Sequence, residues 1–137
     1  MKIEYAKIRD TQELADIDKI GNKELKGWSP NSKLDFIKNI KKLKYKIIIA
    51  KEKNKIIGYL SLRLDKDSRW IWVEDVYVIK DLRNKGIAGD LIRKAINFRN
   101  DKFPARRLVL LTPDRNLNIF SRLGFKKTMN FMEYKNA

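Results

Sequence analysis

The sequence predicts an α+β domain with a central, mostly antiparallel mixed sheet of six to seven strands flanked by about four helices. Three observations lead there. Period-two and helical patterns of apolar residues succeed one another in the order β, α, α, β, β, β, α, β, α, β. The three consecutive strand-like runs are separated by short turn signals, which makes an antiparallel meander. The 137 residues hold no internal repeat, low-complexity tract or linker, so residues 1–137 are expected to form one domain.

The first strand is the alternating run KIEYAKIR. Asp10-Thr11-Gln12-Glu13 has capping-box spacing with Asp10 as N-cap, which opens a helix from Thr11 to about Ile20. Gly21, Gly27 and Ser29-Pro30 interrupt that pattern. From Ser32, residues Leu34, Ile37, Ile40 and Leu43, with Phe36, recur at helical spacing, while Lys33, Lys38, Lys41 and Lys42 take the other faces. That pattern predicts an amphipathic helix with a basic exposed side. KIIIAKE and KIIGYLSLRL flank the hairpin signal Lys53-Asn54, and Asp65-Lys66-Asp67-Ser68 turns the chain into the third long strand, WIWVEDVYVI. Its aromatic residues Trp70, Trp72 and Tyr77 are expected in the core. Beyond Gly89 a helix runs to about Asn100; then come a short buried strand over Arg107 to Thr112, a helix over Asn116 to Leu123, and one or two closing strands over Phe125 to Tyr134.

Composition narrows the chemistry. There is no cysteine and no histidine, which excludes thiol nucleophiles, disulfides, thiolate metal sites and imidazole bases, and no metal is expected. Carboxylates, hydroxyls, amines, amides and the backbone remain. Lys and Arg number 32 against 17 Asp and Glu, a net charge of +15, with the cations denser towards the C-terminus. Such a field attracts anions: nucleic acid, acidic protein or a phosphorylated small molecule. The N-terminal MKIEYAKIRD has no long apolar core and no run approaches a membrane span, so a soluble, cytoplasmic protein without a membrane partner is expected.

The segment Arg83 to Gly89, RNKGIAG, turns a corner between the third long strand and a helix that has no acidic side chain before Asp90. A helix start normally recruits Asp or Glu, because its unpaired N–H groups and dipole favour negative charge. Here Gly86, Ala88 and Gly89 let a ligand approach the main chain, successive amides form an anion site, and Arg83 and Lys85 add charge. The corner is neither a Walker A loop nor a three-glycine dinucleotide fingerprint.

With two further matches, this corner resembles the GNAT superfamily of acyl-CoA-dependent N-acetyltransferases over nearly the whole chain. Val73-Glu74-Asp75-Val76-Tyr77-Val78 followed by Arg83-Asn84-Lys85-Gly86-Ile87-Ala88 is similar to the family's φ-E-D-φ-φ-V strand and its Arg/Gln-x-x-Gly-x-Gly/Ala turn. The hairpin Ile48-Ile49-Ala50 to Ile57-Gly58-Tyr59 and the triplet Leu123-Gly124-Phe125 are similar to two other family signatures. The resemblance implies a GNAT-like fold, acetyl-CoA as cosubstrate, and a pyrophosphate held by Arg83, Asn84, Lys85, Gly86, Ile87, Ala88 and Gly89. It implies a pantetheine arm beside Val76, Tyr77 and Val78, in a splay between two parallel strands, with Asn116 and Phe120 as further contacts. A main-chain N–H there would polarise the thioester carbonyl.

An acceptor ammonium must lose a proton before attack. Glu74 matches the family's glutamate and is the first candidate base, acting through a water; its face, with Trp70, Trp72, Val76 and Val78, reads as apolar on an ideal strand. Asp75, on the opposite face, is the second. Phe120 stands where many members carry a tyrosine taken as the general acid, so Ser121, Tyr134 or a water would have to protonate the leaving thiolate. Trp28, in the segment that flanks the family's acceptor groove, joins Glu74 as a candidate acceptor contact. Lysines of the second helix favour an acidic acceptor: an acidic protein N-terminus, an anionic small amine, or an amine carried on RNA. The competing expectation is a non-enzymatic basic nucleic-acid-binding domain or a catalytically impaired GNAT-like CoA-binding protein. Either a monomer or a homodimer fits the sequence.

Overall fold

The computed structural model describes residues 1–25 and 29–136. Strands β1 (Lys2–Tyr5), β2 (Tyr45–Glu52), β3 (Lys55–Leu64), β4 (Ile71–Val78) and β5 (Leu108–Val109) form one sheet in sequence order. The first four pair antiparallel and β5 runs parallel to β4. Helices α1 (Thr11–Leu25), α2 (Lys33–Lys41), α3 (Ile87–Lys102) and α4 (Leu117–Arg122) complete the mixed α+β architecture that the sequence predicts.

Local chemistry sets the turns. Lys53 and Asn54 have φ of 51° and 65°, the paired left-handed conformation whose twist suits a two-residue hairpin. At the next turn Asp65 Oδ2 accepts from the Ser68 amide at 3.0 Å, which closes the chain into β4. Gly58 is required by close approach: a Cβ there would stand 2.8 Å from the Tyr77 carbonyl oxygen on β4.

The central strands are buried on both sides, so Ile47, Ile48, Ile49 and Ala50 form a continuous apolar run. On one side Ile48, Leu60, Leu62, Ile71, Val73 and Val78 pack against Ile87, Leu91, Ile92, Ala95 and Phe98 of α3. Each large α3 side chain buried there contributes about 1.5–3 kcal/mol. On the other side Leu14 and Ile17 of α1 and Phe36 of α2 cover Ile47, Ile49, Ile56, Tyr59 and Tyr77.

Several expectations are corrected. Asp10 is not a helix N-cap: a 3-10 turn (Ile8–Asp10) precedes α1, and the Asp10 carboxylate accepts from the Lys7 amide at 2.8 Å and from Lys51 Nζ at 2.9 Å. Glu13 reaches across to the Ile56 amide at 2.6 Å instead of back to its own helix start. The capping box belongs to α2, where the Asp35 amide donates to Ser32 Oγ and the Ser32 amide to Asp35 Oδ2. Helix α1 continues through Gly21 to Leu25. In α2 only Phe36 is buried, while Leu34 is exposed and Leu43, beyond the helix, is 98% exposed. Of the aromatic cluster only Tyr77 is core; Trp70 and Trp72 are half-buried and pack on each other at 5.9 Å. Strand β5 is two residues long, and 125–136 contain no strand. The apolar residues Met129, Phe131, Met132 and Tyr134 of that segment project into solvent, without the sheet contact that alternation promised.

Candidate active site

The site is built around an irregularity in β4. Ser61 opposes Asp75 and Leu62 opposes Val73, so Glu74 is an extra residue without a partner on β3. This is a β-bulge, and it reverses the strand's alternation. Before it, Ile71 and Val73 face α3; after it, Val76 and Val78 do. The parity that put Glu74 among Val76 and Val78 therefore fails, and Glu74 and Asp75 border the same recess.

The bulge also redirects the backbone. The Ile71 amide donates to Arg107 O, towards β5, at 2.8 Å, whereas beyond the bulge the Ile79 amide donates to Ile57 O on β3 at 3.0 Å. Alternation back from Ile79 turns the amides of Val76 and Val78 away from β3. That side is open, because β4 and β5 pair only at Ile71↔Leu108 and Trp72↔Val109 and then part. The opening is a cleft of about 420 Å³ lined by Arg63, Trp72, Val73, Glu74 and Leu111.

Past β4 the chain reaches α3 through Asn84 (φ 64°) and Gly86 (φ 84°), both left-handed. No side chain caps Gly86, and the first acid of the helix is Asp90, which pairs with Arg93 at 2.9 Å. The first-turn amides of an α-helix lack intrahelical partners. With Gly86 open and Ala88 and Gly89 small, Ile87, Ala88 and Gly89 offer an anion a donor set and a dipole end. Lys85 is exposed beside them. Arg83 is engaged elsewhere: its Nε donates to Val78 O at 2.9 Å, its Nη1 pairs with Glu24, and its guanidinium lies over the Tyr77 ring. These contacts brace β4 against α1.

On the α1–α2 side a second recess, of about 290 Å³, is bordered by Asn31, Asp35, Phe36, Tyr45, Tyr59, Glu74 and Asp75. Its base is fixed by a buried group: Tyr59 Oη donates to Asp18 Oδ1 at 2.5 Å, and the Asn31 amide donates to Asp18 Oδ2 at 2.6 Å. Burial, reinforced by Asp18, pushes the Tyr59 hydroxyl far above its ordinary pKa, so it stays protonated. Asp75 reaches water but stands within the concave wall. That surrounding protein raises its pKa above the usual carboxylate range, against the 2.8 Å hydrogen bond from Ser61 Oγ, and the charges of Glu74 and Asp18 raise it further. Glu74 is ion-paired with Arg63, which also holds Asp65 at 3.0 Å.

The remaining predicted residues divide. Tyr77 is buried in the α1–α2 layer and its hydroxyl donates to Glu24 at 3.1 Å, so its side chain lies across the sheet from the α3 layer. Phe120 packs edge-on against Phe125 at 5.9 Å, beneath α3's core, and Asn116 is half-buried at the start of α4. Tyr134 is 88% exposed and borders neither cleft. Trp28 lies outside the described residues. Sequence reading missed the Asp18–Tyr59 pair and the standing of Asp75; a period break at two adjacent acids in a strand was the available signal. Among the described residues no helix is long and apolar enough to cross a membrane, and no group of three or more carboxylates is arranged to hold a metal ion.

The sequence model of the acetyltransferase (GNAT) family matches residues 10–125, from the Asp10 turn to three residues past α4, including bulge, splay and corner. The chain belongs to this family. Comparison with curated proteins finds no match. Among solved structures, this GNAT protein is similar to a predicted acetyltransferase with acetyl-CoA from Clostridium acetobutylicum, at 18% identity and TM-score 0.73, covering 98% of this chain and 95% of that one. It is similar to an aminoglycoside N-acetyltransferase in complex with CoA, at 18% identity and TM-score 0.77, covering 99% of each chain. A ribosomal-protein-alanine N-acetyltransferase from Brucella melitensis matches at 17% identity and TM-score 0.74, covering 99% of each. At these identities the likeness is one of fold.

Proposed function

We propose that this GNAT protein is an acetyl-CoA-dependent N-acetyltransferase that acetylates a primary amine entering the recess between α2 and the β4 bulge. The observation that carries the reading is the parting of β4 and β5 beyond Trp72, which leaves the Val76 and Val78 amides turned away from β3 on the strand that precedes the uncapped start of α3. Acetyl-CoA supplies an activated acetyl thioester and a polyanionic handle.

The chain's own groups divide the work. Ile87, Ala88 and Gly89 amides, with Lys85, bind phosphate oxygens; Asn84 and Gly86 give the loop its left-handed path. The amide of Val76 or Val78 donates to the thioester carbonyl oxygen, where negative charge develops. Asp75, with its raised proton affinity, accepts the ammonium proton through a water; the amine nitrogen then bonds to the carbonyl carbon as the C–S bond breaks, and the thiolate leaves. Glu74, the first candidate from sequence, borders both clefts and shares the role of anionic wall while Arg63 fixes its position. A thiol of pKa about 8.5 is a fair leaving group, so the thiolate takes up, through water, the second proton that the acetylated nitrogen sheds, in place of one from a tyrosine at position 120. Neither Tyr134 nor Trp28 carries a part in this reading.

The recess bears Asp35, Glu74 and Asp75 and, among the described residues, no Lys or Arg. The amine therefore meets negative charge, which reverses the expectation of acidic chemistry at the acceptor group itself. Calorimetric titration of acetyl-CoA, followed by a thiol-release assay with a panel of primary amines, tests the reading. Micromolar binding and amine-dependent CoA release are expected; a folded protein that binds no acetyl-CoA would overturn it.

A further inference from the structure

The recess has a rim of the opposite sign. Helix α2 and the turn after it carry Lys38, Lys41, Lys42 and Lys44, all exposed, and among the described residues none of the four forms an ion pair. Lys42 and Lys44 hold their ammonium groups 5.8 Å and 5.6 Å from the centroid of the Tyr45 ring. Tyr45 itself borders the recess, as do Asp35, Phe36 and Asn39 of α2. The cations and the carboxylates thus share one short segment of chain. Leu43, at the centre of the cluster, is 98% exposed.

Helix chemistry does not require this arrangement. The dipole at a helix C-terminus favours a nearby cation by about 0.3–1 kcal/mol, and one or two lysines satisfy it. Four unpaired lysines around an exposed leucine exceed that need, and they repel one another. The cluster also sits within a net charge of +15, so the field it focuses is that of the whole molecule.

Resting on the proposed acetyltransferase reading, we infer that the acceptor is bipolar: its amine enters the carboxylate-lined recess while a phosphate chain attached to it, that of a single-stranded RNA, runs over Lys38, Lys41, Lys42 and Lys44. A phosphate chain fits better than an acidic peptide for two reasons. Every cation in the segment is a lysine, a rotatable point charge that can follow successive phosphates without the fixed bidentate geometry that the arginine fork imposes on carboxylate and phosphate alike. The exposed Leu43 adds an apolar contact between cations, of use against sugar and base and of none against a purely acidic run.

The test compares acetyl transfer to three acceptors carrying the same aminoalkyl linker: the linker alone, the linker on the 3′ end of a 20-nucleotide RNA, and the linker on a poly-glutamate peptide. Binding of the fluorescein-labelled RNA is followed by anisotropy over a salt series. The combined variant Lys38→Gln, Lys41→Gln, Lys42→Gln, Lys44→Gln is measured in parallel, with circular dichroism to verify its fold. The expected result is a kcat/KM at least tenfold higher for the RNA-borne amine than for the linker. That preference should collapse in the variant, and the slope of log K against log salt should fall by about 0.7 for each phosphate that the variant no longer neutralises. Equal rates for linker and RNA, a poly-glutamate acceptor as good as RNA, or RNA binding with the same salt slope in wild type and variant would each overturn the inference while leaving the enzyme reading intact. Absence of transfer to all three would overturn the enzyme reading, and the anisotropy arm would still decide for or against the lysine surface.

Discussion

Glu74 and Arg63 form an ion pair across the β4 bulge, with the Arg63 Nε donating to Glu74 Oε1. The pair faces Trp72 and Leu111 on one side, and its carboxylate borders the recess beside α2 on the other. Asp75, one residue along, forms no ion pair among the described residues and accepts a hydrogen bond from the Ser61 hydroxyl. Two adjacent acids thus have different electrostatic surroundings, and different consequences are expected from their removal.

Asp75→Asn should lower kcat by about 10²-fold, the usual loss for a general base. Because its folded-state pKa is raised, the acid limb of the wild-type pH–rate profile should lie above the ordinary carboxylate range, and it should vanish in the variant. Glu74→Gln should act mainly through KM for the amine. Steady-state kinetics between pH 5 and 9 would separate the two; a larger kcat loss in Glu74→Gln would return the base to that residue.

Asp10→Asn should destabilise the fold by about 2 kcal/mol at neutral pH, since Lys51 then loses its buried partner. Burial alone would raise the Asp10 pKa, but the hydrogen bonds from Lys51 and the Lys7 amide, with the charges of Lys51 and Arg9, hold it below the usual value. The stabilisation is therefore present above the unfolded-state pKa and lost as pH falls through the folded one. Urea titrations at pH 7 and near pH 3 should show the gap between wild type and variant close at the lower pH.

Gly58→Ala should cost about 1–3 kcal/mol, because the new methyl would stand 2.8 Å from the Tyr77 carbonyl oxygen in the middle of the sheet. Gly86→Ala meets no atom within 4 Å, so its cost is the left-handed backbone alone, roughly 1–2 kcal/mol. Equal denaturant midpoints for both variants and wild type would contradict these assignments.

Lys85→Gln should weaken CoA binding more than Arg83→Gln does. The first removes an exposed cation at the corner; the second removes one already committed to Glu24 and Val78. Calorimetry with free CoA ranks them, and the reverse order would restore Arg83 to the phosphates.

Much of the fold was legible because its signals are local. The Lys53-Asn54 hairpin, the buried IIIA run and the glycine corner each follow from the conformational or hydration preferences of a few neighbouring residues. The corner's left-handed backbone is likewise a local property, carried by Asn84 and Gly86. What escaped was set by partners distant in sequence. Asp10 has the spacing of a cap but finds Lys51, 41 residues on, and Glu13 finds the Ile56 amide, 43 residues on. The pairing of Arg83 with Glu24, 59 residues away, was likewise invisible. The bulge escaped as well, because an ideal period of two carries no mark of where it slips; only the opposition of Ser61 to Asp75 and of Leu62 to Val73 reveals it.

On the proposed reading, the uncapped start of α3 would tie folding to metabolism. That helix supplies much of the apolar layer on one side of the sheet, through Ile87, Leu91, Ile92 and Phe98. A polyanion seated on its first turn binds the native state and not the unfolded chain, so occupancy adds to stability by mass action, about 2.7 kcal/mol at a ligand concentration one hundred times Kd. Cells rich in acyl donor would hold the protein in a sturdier, longer-lived form than starved ones, and the melting temperature would report the donor's abundance.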